Sequence, residues 1–312
     1  MAPSPRMLMI LSENWTLASG RDLPELVRWA QIAEDSGFDS VMISEHVVLG
    51  PDASANGVMG NPRDYALPGN QDPEMPWPNS LLLLSAMASV TSRLRLVAGA
   101  IIAPLRHPLL LARELGTLDL ISEGRLVVQP TVSWSRDEYA ALDVPFTKRG
   151  KILDEQLEIL RLAWQGGPFS YSGEHFEFED ITLSPGAHRP DGPRLWFGGQ
   201  GMSPPLLRRL VRHGHGFHPL GVPSEDDVQK LAAAMATAGR DVADLELVGG
   251  TRAVFPDDDS TADIGEAMEP IREQLEGGFT TFCVKPSQFI DDVGELPDFC
   301  RDVVRRVEEM TS

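Results

Sequence analysis

The chain has 312 residues, a formal net charge of −19, 42% hydrophobic and 23% charged residues, and two cysteines. This composition is typical of a folded globular protein, and the acidic excess argues against nucleic acid as a partner because phosphate binding requires clustered Lys and Arg. Two cysteines exclude a disulfide scaffold and a zinc ribbon, and no segment has the roughly 20 apolar residues that span a bilayer, so we expect a cytoplasmic protein without membrane contact.

Short apolar segments alternate with helical patterns through the first half of the chain. Strands are predicted at residues 7–11, 38–43, 94–102 and 124–128. Helical spacing of apolar residues predicts helices that begin after Asp22 and at residues 80–90, 109–121 and 148–164. Continuous apolar strands of this kind are buried on both faces, which favours a parallel sheet covered by helices.

The alternation continues to the end of the chain. A hairpin-like insert is predicted near residues 170–178, strands at 194–197, 216–219, 245–254 and 279–284, and helices at 205–213, 225–238, 261–275 and 295–309. Eight strand–helix alternations favour a (β/α)₈ TIM barrel that forms a single domain over residues 1–312, with the insert between strands four and five. An open doubly wound sheet is the alternative, but the first strand lacks a Gly-rich G-x-G-x-x-G turn.

A long loop rich in Pro and Gly follows the second strand, over residues 47–79. In a barrel it lies at the C-terminal face of the strands, where active sites are built. Loops beyond about 12–15 residues are uncommon in compact domains and are usually functional lids or disordered segments. We therefore expect a lid over the site, with a flexible insertion as the alternative.

Polar residues at the predicted strand ends are the candidate site. Glu45 and His46 follow strand two, and imidazole titrates near neutral pH, so His46 is a candidate for proton transfer, with a surface histidine as the alternative. The turn Gly198-Gly-Gln-Gly201 precedes a helix, which suits a phosphate because backbone N–H groups and the helix dipole attract anions. Such turns also occur for steric reasons alone.

Aromatic and histidine residues add two further hypotheses. Trp15 and Trp134 are candidates for lining a substrate cleft, with core packing as the alternative. His213, His215 and His218 invite a metal interpretation, but no fourth ligand is evident, and a histidine at a helix end is favoured by the helix dipole. We therefore predict no metal site.

Several motifs occur together in a fixed order. They are Ser44-Glu45-His46, the run at 103–108, the run at 118–125, Arg149-Gly150, the run at 173–178 and Trp196-Phe-Gly-Gly199. In this combination the chain resembles the bacterial luciferase-like monooxygenases, and within them the actinobacterial branch of deazaflavin (coenzyme F420)-dependent oxidoreductases. The resemblance covers residues 7–255.

The resemblance implies a TIM barrel that binds coenzyme F420, or alternatively FMN, at its C-terminal mouth. It implies a bulge with a non-proline cis peptide near Ala100-Ile101, and His46 and Glu45 as catalytic residues facing the cofactor ring. The implied cofactor-binding residues are Ser44, Ala100, Ile101, Gln129, Thr131, Ser133, Gly198, Gly199, Gln200 and Gly201. Candidate surface cations for the polyglutamyl tail of coenzyme F420 are Arg63, Arg106 and Arg149, with pairing to one of the 46 acidic residues as the alternative for each. Gly50 stands where the sugar-phosphate dehydrogenases of this branch carry Trp, which argues against glucose 6-phosphate as substrate.

The leading functional hypothesis is hydride transfer between coenzyme F420 and a small organic substrate. The alternative is an FMNH2-dependent two-component monooxygenase that uses O2 and receives reduced flavin from a separate reductase. A third possibility is a cofactor-binding barrel without catalysis, since a fold does not fix a function. The resemblance also implies a homodimer.

Overall fold

Eight parallel strands form a closed barrel in this computed structural model, which describes residues 4–199, 201–219 and 223–311. In chain order the strands are β1 (Arg6–Ile10), β2 (Ser40–Ile43), β3 (Arg95–Ile102), β4 (Leu126–Thr131), β5 (Pro168–Ser172), β6 (Glu177–Thr182), β7 (Arg194–Phe197), β8 (Gly216–Phe217), β9 (Glu246–Gly250) and β10 (Thr281–Val284). The barrel closes in the order β1-β10-β9-β8-β7-β4-β3-β2, and β5 and β6 form a separate hairpin. The predicted TIM barrel and its insert after the fourth barrel strand are confirmed.

Helices connect the strands and cover the barrel. They are α1 (Leu23–Asp35), α2 (Ser80–Val90), α3 (Pro108–Ile121), α4 (Arg136–Ala141), α5 (Arg149–Trp164), α6 (Pro204–His213), α7 (Glu225–Thr237), α8 (Ile264–Met268), α9 (Pro270–Glu276) and α10 (Leu296–Met310). Within the described residues, no helix is both long and apolar enough to cross a membrane.

Side chains alternate between the barrel interior and the layer beneath the helices, as the period of a strand requires. Leu8 of β1 lies in the interior cluster with Trp196 and Cys283, whereas its neighbours Met7 and Met9 lie in the outer core against the helices. The strands are therefore buried on both faces, which explains their continuous apolar sequences.

Three local features differ from the sequence-based expectations. The helix predicted over residues 261–275 is interrupted at Pro270, because proline cannot donate the interior hydrogen bond and begins a new helix instead. Helix α4 was not predicted. The non-proline cis peptide lies between Gly99 and Ala100, one bond before the expected position, and it coincides with a register shift between Gly99 and Ile101 in β3.

The loop at residues 47–79 is tied to both sides of the barrel mouth. The Asp52 amide donates to Asp137 at the start of α4, and the Asn61 side-chain amide donates to the Asp257 carbonyl beyond β9. Lys285, directly after β10, donates to the Asp64 carbonyl at 2.9 Å. These contacts carry the loop across the mouth, which supports the interpretation of a lid.

A network of charged residues closes the opposite, N-terminal end of the barrel. Arg95 of β3 makes two hydrogen bonds of 2.8 Å to the Glu246 carboxylate of β9. Arg6 and Thr281 also donate to Glu246, and Asp39 accepts from Arg95. Burial opposes the charge of Glu246, but the hydrogen bonds and charge of Arg95 outweigh it and lower the Glu246 pKa.

Candidate active site

His46 and Glu138 form a hydrogen-bonded pair at the C-terminal mouth of the barrel. Glu138 Oε2 lies 3.1 Å from His46 Nδ1, and the Glu138 side chain is fully buried. The same carboxylate accepts from the Val47 amide at 2.7 Å and from the Ser133 hydroxyl at 3.1 Å. Because a carboxylate accepts, His46 carries its proton on Nδ1, and Nε2 is the atom left for chemistry.

Helix α4 places Glu138 beneath His46. Ser135 caps the helix, its hydroxyl accepting from the Glu138 amide, and so fixes the first turn beside the end of β4. Ser133 adopts a φ of +55°, a left-handed conformation that turns the chain toward this helix. The short segment between β4 and α4 therefore supplies the partner of a histidine that follows β2.

Two tryptophans enclose the His46 ring. Trp77 of the loop and Trp134 make edge contacts with it, with ring centroids 5.0 and 5.5 Å away. Trp15, the other predicted substrate residue, instead lines a small apolar cavity with Ser44 and Trp77. The structure thus brings Trp134 to His46 directly and Trp15 only by way of Trp77.

Glu45 has a different environment from His46. Arg106 donates two hydrogen bonds to its carboxylate, at 2.6 and 2.8 Å, and the Ile102 amide and Ser80 hydroxyl also donate to it. Both oxygens are occupied and the residue is buried, 6% exposed. Glu45 therefore fastens the ends of β2 and β3 to the start of α2.

The three arginines expected to hold the cofactor tail have partners or packing of their own. Arg106 is paired with Glu45, and Arg63 with Asp291. Arg149 packs its guanidinium against the Phe146 ring, 3.7 Å from the centroid, and its buried Nε has no hydrogen-bond partner. Among the described residues, the Arg63 Nε is likewise buried without a hydrogen-bond partner, so Arg63 and Arg149 each keep an unused buried donor.

The bulge in β3 changes which side chains face the mouth. Ala100 is partly exposed there, and its carbonyl accepts from the Glu45 amide. Ile101 is fully buried in the outer core, so only its backbone is available to a cofactor. Ser44, also predicted at this edge, binds Ser12 through both its amide and its hydroxyl.

Gln129, His218 and Cys283 form a hydrogen-bonded chain above the barrel interior. Gln129 Oε1 lies 2.9 Å from His218 Nδ1, and Cys283 Sγ lies 3.6 Å from His218 Nε2. Burial lowers the pKa of His218 to about 4 and raises that of Cys283 to about 12, so both are neutral near pH 7. The network leaves the Gln129 amide nitrogen without a partner among the described residues.

The glycine turn after β7 begins against this chain. A side chain at Gly198 would meet the His218 carbonyl at 1.8 Å, so only glycine fits. The backbone amides of Gly199, Gly201 and Met202 donate no hydrogen bond within the described chain. The N-terminus of α6 offers fewer N–H groups to an anion than expected, because Pro204 and Pro205 have none.

The remaining predicted residues are placed as follows. Thr131 ends β4 opposite Ile102 and is partly buried, and Gln200 lies outside the described residues. His215 accepts from the Leu195 amide, and burial lowers the pKa of His213 to about 4. In the described part of the chain, no cluster of His, Cys, Asp and Glu is suited to a metal ion.

Three residues of the mouth were not predicted from the sequence: Glu138, Trp77 and Glu13. A signal for Glu138 was present, since Ser135 and Glu138 have the S-x-x-E spacing of a helix capping box. Trp77 lies in the Pro-rich loop, where no periodicity indicates a direction. Glu13 follows β1 with a φ of +60°, a conformation that sequence does not indicate for glutamate.

The family model described as luciferase-like monooxygenase matches residues 6–295 of this barrel. The chain belongs to the luciferase-like monooxygenase family. Its relatives include an uncharacterised protein of Mycobacterium tuberculosis, 31% identical over 217 residues, which covers 68% of this chain and 74% of that protein.

Luciferase-like enzymes of known structure share the fold. The monooxygenase RslO1 from Streptomyces bottropensis superposes with a TM-score of 0.72 at 19% identity, covering 98% of this chain and 100% of that one. The coenzyme F420-dependent tetrahydromethanopterin reductase from Methanopyrus kandleri superposes with a TM-score of 0.71 at 15% identity, with the same coverage. At these identities the likeness concerns the fold.

Proposed function

We propose that this luciferase-like oxidoreductase binds coenzyme F420 at the barrel mouth and transfers hydride between it and a small organic substrate. The observation that carries the proposal is the His46–Glu138 pair, enclosed by Trp77 and Trp134 beside the β3 bulge. An oriented imidazole in an aromatic, partly dry environment is what proton transfer coupled to hydride transfer requires.

Unused hydrogen-bond donors at the mouth fit a flavin-type cofactor. Among the described residues, the Gln129 side-chain amide has no partner and can donate to a ring carbonyl, and the amides of Gly199, Gly201 and Met202 have no acceptor and can hold a phosphate. Ala100 at the bulge offers a small side chain against which a planar ring can lie. The bound cofactor supplies the hydride chemistry, and the chain supplies its position.

His46 moves the proton. With Nδ1 donating to Glu138, Nε2 takes a proton from a substrate hydroxyl during oxidation, or the imidazolium returns it during reduction. Glu138 keeps the ring in one tautomer and stabilises the imidazolium once it forms, as a buried carboxylate does for a general base. Positioned acid–base groups of this kind contribute about 10²–10⁴-fold to a rate.

Glu45 acts in this proposal as a positioning residue. Its carboxylate oxygens are held by Arg106, Ser80 and the Ile102 amide, which leaves no free acceptor for a substrate proton. It fixes the end of β2, and therefore the His46 backbone, relative to the bulge in β3. This replaces the catalytic role that the resemblance implied for Glu45.

The second candidate is an FMNH2-dependent monooxygenase supplied by a separate reductase. The loop at 47–79 favours it, because its contacts with Asp137, Asp257 and Lys285 cover the mouth from two sides. Excluding water protects a reactive oxygen intermediate from decay. The fold likeness to RslO1 is compatible with this alternative.

A paired fluorescence titration with oxidised coenzyme F420 and with FMN tests the proposal. We expect coenzyme F420 to bind at least about tenfold more tightly, and Gln129→Ala to weaken its binding about tenfold, the value of one lost hydrogen bond. Gln165→Ala, an exposed residue beyond α5, is the matched control. Preference for FMN would transfer the proposal to the monooxygenase, and absence of binding to both would refute it.

We also propose a homodimer that pairs through α2 and α3. These adjacent helices expose apolar side chains to solvent, with Leu82 72% and Leu110 51% exposed. Light scattering at micromolar concentration is expected to give twice the chain mass of 34.2 kDa. The Leu82→Lys/Leu110→Lys variant is expected to be monomeric, and a monomeric wild type would contradict the proposal.

A further inference from the structure

A second polar cluster lies in the mouth at the corner between β1 and β10. Glu13 follows β1, and Lys285 follows β10, with a fully buried side chain. Asn14 joins the two segments, because its side chain donates to the Ile10 carbonyl and accepts from the Ser287 amide. The proposed cofactor-binding and proton-transfer residues do not include this cluster.

The two charges of this cluster are incompletely paired. The Lys285 ammonium has three donors, yet within the described residues its one hydrogen bond is to the Asp64 carbonyl, and the Tyr65 ring lies 5.1 Å away. Glu13 Oε1 is buried without a hydrogen-bond partner. Glu13 and Lys285 feel each other's charge, but among the described residues they do not form an ion pair within 4.0 Å. Buried charges without partners are costly and mark functional sites.

Backbone groups of the loop interact with both side chains. The Asp64 carbonyl accepts from Lys285, and the Ala66 amide stabilises the charged form of Glu13. The loop therefore presents an amide carbonyl to the cation and an amide N–H to the carboxylate. A ligand that takes the place of the loop in this corner would therefore supply a carbonyl oxygen to Lys285 and an N–H to Glu13.

The corner is electrostatically connected to His46. A positive charge on His46 lowers the pKa of Glu13, although burial, the larger effect, raises it. The corner and His46 therefore belong to the same electrostatic environment at the mouth.

We propose that Glu13 and Lys285 form a substrate subsite for an amide-type group, a carboxamide, lactam or ureide. Its carbonyl oxygen accepts from Lys285, and its N–H donates to Glu13. The inference rests on the proposed function, since the subsite places a substrate beside the proton-transfer residue. In the closed arrangement, residues 64–66 fill the subsite and exclude water from it.

The chain has only four lysines, Lys148, Lys151, Lys230 and Lys285, which makes the subsite accessible to NMR. The side chains of the first three are 44%, 64% and 52% exposed, so the Lys285 signal of protein labelled with ¹³C at the lysine ε-carbon is distinct. Its assignment is checked with Lys285→Arg. The probes are 2-pyrrolidinone, which has a carbonyl and an N–H, and cyclopentanone, a ketone of the same shape without the N–H.

We expect 2-pyrrolidinone to shift the Lys285 signal saturably and to bind about tenfold more tightly than cyclopentanone, the value of one hydrogen bond to a charged group. Glu13→Gln is expected to reduce this preference to about threefold or less, because a neutral acceptor is weaker. Glu74→Gln, an exposed carboxylate of the same loop, is expected to keep it.

Equal binding of the two probes, or no shift of the Lys285 signal, would overturn the subsite. The experiment is run on free protein and on protein loaded with the cofactor that it binds. Failure of both cofactors to bind refutes the proposed function and leaves the probe measurement valid, so the two failures are distinguishable.

Discussion

The N-terminal end of the barrel and the β1–β10 corner of its mouth bury charged residues in opposite ways. At the N-terminal end, Arg95 and Glu246 satisfy each other with two hydrogen bonds, and Arg6, Asp39 and Thr281 complete the network. At the C-terminal mouth, the Glu13 carboxylate and the Lys285 ammonium keep unused hydrogen-bonding capacity. One end closes the barrel, and the other retains groups for a ligand.

This difference indicates where stability and function reside in the chain. Fully paired buried charges are rigid, and breaking them costs folding free energy. Partly satisfied charges are tolerated where binding compensates for them, which in this fold is the C-terminal face. Substitutions at the two ends should therefore separate into effects on unfolding and effects on turnover.

The largest expected effect is on turnover, from His46→Ala at the mouth. Loss of the imidazole should lower kcat by about 10²–10⁴-fold, the contribution of a positioned acid–base group. The check is steady-state kinetics with the cofactor that the protein binds and a substrate that it turns over. His107→Ala, an exposed histidine before α3, is the control and should retain kcat. Unchanged turnover in His46→Ala would remove His46 from the mechanism.

Glu246→Gln at the opposite end should lower the free energy of unfolding by about 3 kcal/mol, because Arg95 loses its buried partner. Cofactor affinity should stay within about twofold of wild type, since the network lies at the other end of the barrel. Urea unfolding and the cofactor titration measure the two quantities. Glu179→Gln on the exposed β5–β6 hairpin is the control. A loss of affinity without a loss of stability would reverse the assignment of the two ends.

Glu138→Gln tests a buried carboxylate of the mouth that affects turnover through His46. An amide no longer fixes the imidazole tautomer, so kcat should fall about 10–100-fold, in the range that hydrogen-bond partners of functional histidines contribute. The pH–rate profile should move with it, because the imidazolium loses a stabilising negative charge. A purely structural role would lower stability and leave the profile unmoved.

The smallest expected effect concerns His213, outside both ends. Its folded pKa of about 4 lies below its ordinary value, so the unfolded chain binds more protons below about pH 6.5. Its contribution to stability is present above pH 6.5 and is lost as the pH falls toward 4. When the pH falls from 7 to 5, the free energy of unfolding of His213→Gln should decrease by about 1 kcal/mol less than that of wild type, a value that allows for solvent screening. Urea unfolding midpoints at pH 7 and pH 5 measure this difference. An equal decrease of the midpoint in wild type and in His213→Gln would contradict the prediction.

Much of the barrel could be predicted from the sequence, because strands buried on both faces are continuous apolar runs and helices have their own period. The segment at 261–275 could have been divided at Pro270 by the same reasoning. His46 was identifiable as an ionisable residue at a strand end.

The side-chain directions in β3 could not be predicted from alternation. Leu96 and Ala98 point to the outer core, and alternation places Ile101 inside the barrel. The bulge at Ala100 inserts one residue, which reverses the order and sends Ile101 outward. Alternation alone therefore predicts the wrong face for Ile101.

The partners of the site residues were hidden because they are distant in sequence. Glu138 and His46 are separated by 92 positions, and Lys285 and Asp64 by 221. Strand closure brings them together, and a single sequence taken by itself contains no signal for such pairs. The pairing of Glu45 with Arg106 is likewise visible only in the fold.

The role of His46 in proton transfer depends on its tautomer, which can be measured without cofactor or substrate. Two-dimensional ¹⁵N–¹H NMR of protein labelled at the histidine ring nitrogens distinguishes a protonated from an unprotonated ring nitrogen. In the neutral ring, we predict a protonated Nδ1 and an unprotonated Nε2 in wild type, and loss of that preference in Glu138→Gln. Protonation at Nε2 in wild type would contradict it, because the atom assigned to proton transfer would then be unable to accept a proton.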